Sequence, residues 1–538
     1  MVRVSGSEDP NAIGRRSFLQ RGAMVGALVA LPSTALAACG SGGEAVGGAS
    51  TGGSGGAAAP AEAVGGFSHN FREMDPHVGV DVTTYTVGWH VHEGLMDLNP
   101  VTREVELGLA AADPEEVREN VWHVRLRDGA TFHDGTPVRA SDVVFSFERI
   151  RNPETASFFI SYLDFIGSAR AVDDTTVEFV LRQPFALFRN RLIFIRVVPQ
   201  AIVSRDARAM STRPVGTGPY AFVELAANDH ITLRRNGSYN GPKKGSYATI
   251  RLRAMEDISA RLAALRASEI GVMEDPADRD LPSLGKQSGI RTASEKGFNQ
   301  TILMFNHSRR PFDDTRVRQA IMYGIDRDAL VRTVYAGNGT VAESMIPADY
   351  PAFARPSTIY TYDPERARAL LAQAGHGDGL DFELMVNSLS YIGEQGPFIK
   401  EQLAKAGINA NLRMGDSSAL FERVSAGDYS AFITISDVSV FGEDPDLWLR
   451  YFHTGAFARQ FLYWQGAQQR EVQGLLDGAL YETDTTKQQA AWTRVQELLA
   501  AEAVCPTLIH RSQPTAWRDS LGGFQPINTT GLYFLEAA

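Results

Sequence analysis

Four histidines, His69, His77, His90 and His92, carry the side chain most often used to hold a transition metal. His90 and His92 would share a face if Val91 lay in a strand, because alternate strand residues point the same way. In a helix they would stand roughly 200° apart. Ser283-Leu284-Gly285-Lys286 has the serine-lysine spacing of a penicillin-binding nucleophile, but no lysine-threonine-glycine partner is present and Ser436-Asp437-Val438 matches only half of another element. A phosphate-cradling loop is also missing. One further reactive group is the thiol of Cys39, preceded by Leu36-Ala37-Ala38 and by an apolar run that begins after Arg15 and Arg16.

The segment around that thiol reads as an address. Arg15-Arg16-Ser17-Phe18-Leu19 resembles a twin-arginine export signal, and Leu36-Ala37-Ala38-Cys39 resembles a lipobox, whose cysteine is lipidated before cleavage. Ala23 to Leu31 is too short, and too interrupted by Gly26 and Pro32, to span a bilayer as a stable helix. The expectation is a signal peptide over 1–38, with Cys39 as the first mature residue and its acyl chains as the membrane anchor. Residues 39–66, rich in Gly, Ser and Ala, are expected to be a flexible tether with a root-mean-square reach of about 30 Å.

Beyond the tether, the chain is long enough for two or more domains, and none of its apolar stretches could cross a bilayer. Removing 1–38 from 52 basic and 63 acidic residues takes away four arginines and two acids and leaves a net charge of −13. Such a body is expected not to bind nucleic acid through its field. Cys39 and Cys505 are the two cysteines; with Cys39 acylated no internal disulfide can form, and Cys505, in AVCPTLI, is expected to be an inert core thiol.

Alternation of strand and helix signals is clearest between Asp363 and Ser436. Asp363 is expected to cap a helix begun by Pro364 and stopped by Gly375. LDFELMV, NANLRM and SAFITI read as strands, with helices from Pro397 to near Gly407 and from Ser417 to Ser425 between them. This is the pattern of a parallel sheet, whose ligands meet the loops at the carboxyl ends of strands. It singles out NSLSYIGEQGP and SDVSVFGEDP. Earlier, VWHVRLRDGATF and TTVEFVLRQPF show paired-strand alternation with turns at Asp128-Gly129 and Asp134-Gly135, and Ser141 is placed to cap a helix. Gly216 and Gly218 of PVGTGPY are expected to take unusual dihedrals. In TRVRQAIMYGIDRDAL, Arg316 and Arg318 are expected to face solvent, Val317 and Ile321 the core, and Asp326 to cap a second helix.

Five stretches together carry a family likeness. They are MDPH (74–77), HEGL (92–95), LRDGATFHDGTPVRASDVVFSFERI (126–150), PVGTGPY (214–220) and PFDDTRVRQAIMYGIDRDAL (311–330). They resemble, in order, the extracytoplasmic solute-binding proteins of oligopeptide- and nickel-type ABC importers, family 5. The resemblance implies an α/β fold of the large, type II periplasmic-binding kind, with two lobes joined by two crossovers. Lobe I would comprise 67–95, 210–302 and 508–538, with an inserted domain over 96–209, and lobe II 303–507. It implies a helix around His90 and His92, which sets them on different faces, so no metal ligand is assigned, although with His69 and His77 nearby a metal site stays open. It also implies no enzymatic activity, no cofactor, a monomer and a membrane permease as partner.

Peptide binders of the family commonly carry an aspartate, in Ala-Asp-Tyr-x-Asp-Pro, that meets the ligand's ammonium. Here Phe441 stands at that place before the retained Asp444-Pro445, and Asp437 lies seven residues before Asp444. By position in such a fold, Asp81 and Tyr85 are expected to reach the cleft before HEGL, and Phe159 to reach it from the inserted domain. Phe305 is expected at the first crossover, Tyr391 after LDFELMV, Trp464 at the far end and His510 just past the second crossover. The function so implied is capture of a solute for import. A ligand-presenting sensor or surface protein, and a secreted hydrolase using the same cleft, are the alternatives.

Overall fold

Strand formation begins within a stretch whose composition reads as linker. The structure, a computed structural model, describes residues 61–79, 81–388 and 390–536; Arg15, Arg16 and Cys39 lie outside them. Strand β1 (Glu62–Phe67) overlaps the end of the expected tether and pairs in parallel with Thr249–Ala254. Its glycines permit close packing: a Cβ on Gly65 would lie 2.8 Å from Leu532, and one on Gly66 2.5 Å from Ile270. Helix α1 (Val82–Val91) follows, with Asp81 as its cap.

The hairpin β2 (Met96–Leu98) and β3 (Val105–Leu107) leads into a separate antiparallel sheet. Its strands are β4 (Glu115–Arg118), β5 (Val121–Arg125), β6 (Ile166–Ala171) and β7 (Thr176–Leu181), in the order β4-β5-β7-β6. The two alternating stretches found in the sequence are neighbours here as β5 and β7, and Gly129 and Gly135 turn with φ of 72° and 86°. Helix α2 (Ala140–Arg151) starts one residue before Ser141; Arg139 holds the cap position, and the Asp142 carboxylate accepts its amide at 3.0 Å.

The main sheet resumes with β8 (Tyr220–Ala226), β9 (His230–Arg235), β10 (Thr249–Ala254), β11 (Val272–Glu274) and the long β12 (Ile290–Phe305). Next come β13 (Gly339–Val341), helix α3 (Pro364–Gln373), β14 (Leu380–Asn387), helix α4 (Gln395–Lys405), β15 (Ile408–Gly415), helix α5 (Ser417–Ser425) and β16 (Ala431–Asp437). Helix α6 (Pro445–His453) and the long β17 (Thr507–Arg518) come later in the chain. Asp363 caps α3, accepting from Arg366 N at 2.8 Å, and Gly375 ends it with φ of 87°.

The main sheet has eleven strands in the order β15-β14-β16-β12-β17-β11-β1-β10-β9-β8, with β13 on β17. β12 and β17 pair antiparallel and run from one lobe into the other. On one side lie β11, β1, β10, β9 and β8, which form lobe I; on the other lie β16, β14 and β15, all mutually parallel, which form lobe II. Between the lobes the β12–β17 register shifts from Glu295 to Asn299. Such an irregularity bends a strand and breaks its ladder locally. Gly297 sits in it, where a Cβ would lie 2.7 Å from the Asn528 carbonyl.

Each lobe has its own core. Phe67, Trp89, Tyr220 and Leu252 pack with Leu532–Leu535 in lobe I; Phe305, Val317, Leu371, Leu384 and Ile433 pack in lobe II. A third cluster runs from the inserted domain, at Phe147 and Phe179, to Trp448 and Phe452 of α6. Asp326 caps its helix as expected, accepting from Ala329 N at 2.8 Å. Arg318 differs from expectation: it is 2% exposed, and its guanidinium donates to the carbonyls of Glu502 and Phe312 at 2.7 and 2.8 Å. Cys505 is buried, and burial pushes its thiol up.

PVGTGPY, FHDGTP and the end of α1 interlock. Gly218 N donates to Val91 O at 2.9 Å, and His133 N to Gly216 O at 2.9 Å. A Cβ would lie 1.9 Å from Val91 O at Gly216 and 2.5 Å from His90 O at Gly218. These glycines are therefore needed for close backbone approach, not for unusual dihedrals; neither is among the residues with positive φ.

Candidate binding cleft at the lobe junction

β14 and β16 run parallel, so their carboxyl ends, Asn387 and Asp437, arrive at the same edge beside the register shift of β12. Asp437 stands opposite Asn299, and Asn299 opposite Arg511; directly opposed residues share a face. Arg511 is 1% exposed. It donates to Asp275 at 2.7 Å and to Asp278 at 2.9 and 3.1 Å, and its guanidinium lies 3.8 Å from the centre of the Tyr391 ring. The paired carboxylates hold Arg511 well above its ordinary pKa, while burial pushes Asp278 up to about 6. Asp437 accepts from Thr530 N at 3.1 Å, Thr530 Oγ1 at 2.6 Å and Thr529 Oγ1 at 3.2 Å.

Around this face several buried side-chain oxygens have no protein partner: Asn299 Oδ1, Gln395 Oε1, Gln513 Oε1 and Asp278 Oδ1. A buried polar atom left unpaired costs about 1–3 kcal/mol. The floor is thus able to hydrogen-bond a polar molecule, and the arginine and carboxylates nearest to it are already matched.

The wall above is aromatic. Phe441, 5% exposed, meets Tyr162 of the inserted domain edge-on at 5.5 Å and Tyr451 of α6 at 5.4 Å. Tyr451 in turn meets Phe158 at 5.3 Å. Beside this cluster is a cavity of about 590 Å³, counting its open mouth, lined by residues that include Tyr85, Gly88, Trp89, Phe159, Phe194 and Arg196. Burial raises the Tyr85 phenol, helped by Tyr451 and by the carboxylates of Asp81 and Asp437. Tyr85 thus lines the cavity and feels the charge of Asp437 at the polar floor. Arg191 of the inserted domain bonds Asp444 at 2.8 Å and Asp446 at 2.9 Å, both in lobe II, and all three are buried.

Of the residues expected at the cleft, Tyr85, Phe159, Tyr391, Asp437 and Phe441 come together at this junction. Asp81 is at its edge, occupied as the cap of α1 through Thr84 N at 2.8 Å. Phe305 is fully buried in the lobe II core, stacked on Phe312 at 5.7 Å. Trp464 packs against His307 and His453, at 6.2 and 6.3 Å, inside lobe II. His510 points to the opposite face of β17 from Arg511 and bonds Ser344 O at 2.9 Å, burial pushing its pKa down to about 4. These three are not brought to the cleft. Arg511, Asp275, Asp278 and Asn299 were not singled out by the sequence, although Arg511 is one residue from a position that was.

His90 has no ring nitrogen left for a metal. His90 donates from Nδ1 to Thr86 O at 2.7 Å and accepts at Nε2 from Phe534 N at 3.1 Å, so both nitrogens are used. Burial pushes His90 and His92 down to about 4 and 3. Among the described residues, no three His, Cys, Asp or Glu side chains are grouped so as to hold a metal ion.

Comparison with known proteins bears on this geometry. The family model described as bacterial extracellular solute-binding proteins, family 5 Middle, matches residues 104–458. A glutathione-binding protein GsiB of Shigella boydii is 25% identical over 482 residues, covering 87% of this chain and 92% of that protein. The periplasmic binding protein DppA of Helicobacter pylori, solved with the peptide STSA, superposes with a TM-score of 0.78 at 24% identity, over 88% of this chain and 96% of that one. A dipeptide-binding protein of Pseudoalteromonas sp. SM9913, solved with Met-Leu, gives 0.80 at 22% identity, over 89% and 100%. The fold is that of the type II periplasmic binding proteins.

Proposed function

The chain belongs to the family 5 bacterial extracellular solute-binding proteins, and from that premise we propose that it is the lipid-anchored receptor of an ABC importer. It takes up one solute between its lobes and delivers it to a membrane permease. The observation that carries this reading is the polar floor at the carboxyl ends of β14 and β16, set beside the register shift of β12 and β17. A ligand resting there touches both lobes, so binding favours their closure. The test is mass spectrometry of what co-purifies with the protein, followed by small-angle scattering with and without that molecule. A radius of gyration that does not fall on binding counts against a closing receptor.

The anchor follows from Arg15, Arg16 and Cys39. Lysine at both arginines should block export, and Cys39→Ala should free the protein from washed membranes; retention of that variant on membranes removes the lipoprotein reading.

The relatives named above bind peptides or glutathione, yet a free ammonium terminus finds a poor anchor in this chain. Phe441 replaces the usual carboxylate, and Asp437 is engaged by Thr529 and Thr530. Phe441→Asp should therefore weaken binding of the co-purified solute by about 2–4 kcal/mol, through lost ring contact and a buried carboxylate. If Asp437→Asn is instead the damaging change in titration calorimetry, Asp437 has taken over the anchoring role.

A further inference from the structure

Gly88 lies in the interior of α1, where glycine costs about 1 kcal/mol relative to alanine. Several other lobe I glycines are explained by collision: a Cβ would strike Val91 O from Gly216, Leu532 from Gly65 or Met96 O from Gly94. At Gly88 a Cβ would meet nothing within 4 Å, and the residue is not among those with positive φ. Neither crowding nor backbone conformation accounts for it. What the missing side chain leaves is room, because Gly88 lines the cavity beside the aromatic cluster.

The walls of that cavity state what fits. Tyr85 and Trp89 come from the same face of α1, and Phe159 and Phe194, stacked at 5.4 Å with 23° between planes, come from the inserted domain. Arg196, the charged group at the lining, is committed to Asp97 and to the His92 carbonyl. The pocket therefore offers ring faces and edges with no uncommitted charge. Phe159 is joined by ring contacts through Tyr162 to Phe441, so a wall of the pocket is continuous with the aromatic wall of the cleft.

We propose that this pocket receives an uncharged, ring-bearing apolar group of the solute, aryl or of similar size, while the polar part of the same molecule rests on the floor formed by Asn299, Gln395 and Gln513. The solute is thus amphipathic, and Gly88 sets the size of the ring it can carry. This rests on the reading of the chain as a solute receptor.

Gly88→Phe tests it, because the first atom of the new side chain meets nothing within 4 Å and the ring is directed into the pocket's space. The probe is 4-fluorobenzyl alcohol, followed by fluorine NMR line broadening on the full body, with melting temperature read in parallel. The wild type should broaden the probe saturably. Gly88→Phe should bind it at least roughly tenfold more weakly with an unchanged or higher melting temperature, and Gly88→Ala should fall between. No saturable broadening by the wild type, or equal broadening by Gly88→Phe, overturns the pocket. If Gly88→Phe misfolds, Gly88→Ala carries the test, and unaltered probe affinity in it overturns the size rule. Native mass spectrometry separates the two claims: a co-purified solute kept equally by wild type and Gly88→Phe defeats the pocket but leaves the receptor standing. A wild type that holds neither solute nor probe defeats both.

Discussion

Arg191 and Arg511 are 2% and 1% exposed, and each lies between two aspartates at hydrogen-bonding distance. Their places in the molecule differ. Arg511 belongs to β17, which both lobes share, and its carboxylates follow β11 in lobe I. Arg191 belongs to the inserted domain, and its carboxylates lie in the first turn of α6 in lobe II. If the lobes open as proposed, the first cluster stays intact and the second must separate. The same ion chemistry would then be permanent at the pivot and reversible at the mouth. Burial alone therefore does not say whether a salt bridge supports the fold or the motion.

Removing the pivot arginine should have the largest effect. Arg511→Met strands the buried Asp278 and leaves the partly exposed Asp275 unpaired, and unfolding in urea should show a loss of about 3–5 kcal/mol. A loss no greater than that of a surface substitution breaks the comparison at its first term.

Proton linkage sharpens it further. Asp278 is raised from 3.8 to about 6 by burial, so in the folded state it keeps its proton to higher pH than in the unfolded chain. Its contribution is full below the unfolded value and is lost as pH rises through about 6, amounting to about 2–3 kcal/mol. Stability of the wild type relative to Asp278→Asn should fall over that window; parallel curves refute it.

At the mouth the penalty is limited, since Asp444 and Asp446 can regain water by opening, and Arg450 still bonds Asp446 at 2.9 Å. Arg191→Gln should cost only about 1–2 kcal/mol but should raise the radius of gyration of the ligand-free protein. A loss equal to that of Arg511→Met with unchanged scattering would erase the distinction. Asp81→Ala, outside both clusters, should cost about 1 kcal/mol through the lost cap and leave scattering as it was.

Local signals explain which features were legible in the sequence. Asp363, Pro364 and Gly375 framed α3, and the strand-helix alternation gave the parallel arrangement of β14, β15 and β16, hence the two loops that carry Tyr391 and Phe441. The misses are long-range. β1 hides in a glycine- and alanine-rich stretch because its small residues answer to Leu532 and Ile270, which composition cannot reveal. Arg318 looked solvent-facing by helical period but meets carbonyls 184 residues away. Arg511 and Asp275 are 236 positions apart, and Arg191 and Asp444 253, so nothing near any of them announces the pair. His510 was placed at the cleft by its position past the second crossover, and a one-residue step along β17 turns it to the other face from Arg511.

The interleaving of lobe I has a consequence for the order in which the molecule can be built. Its core joins β1, at Glu62–Phe67, to Leu532–Leu535, whereas the parallel strands of lobe II all fall between Leu380 and Asp437. On a ribosome, those three strands emerge together and can pair while β1 waits. Lobe I cannot close until residue 535 has left the exit tunnel, because Leu532 packs beside Gly65 and Phe534 N bonds His90. The lobe synthesised first is the one completed last.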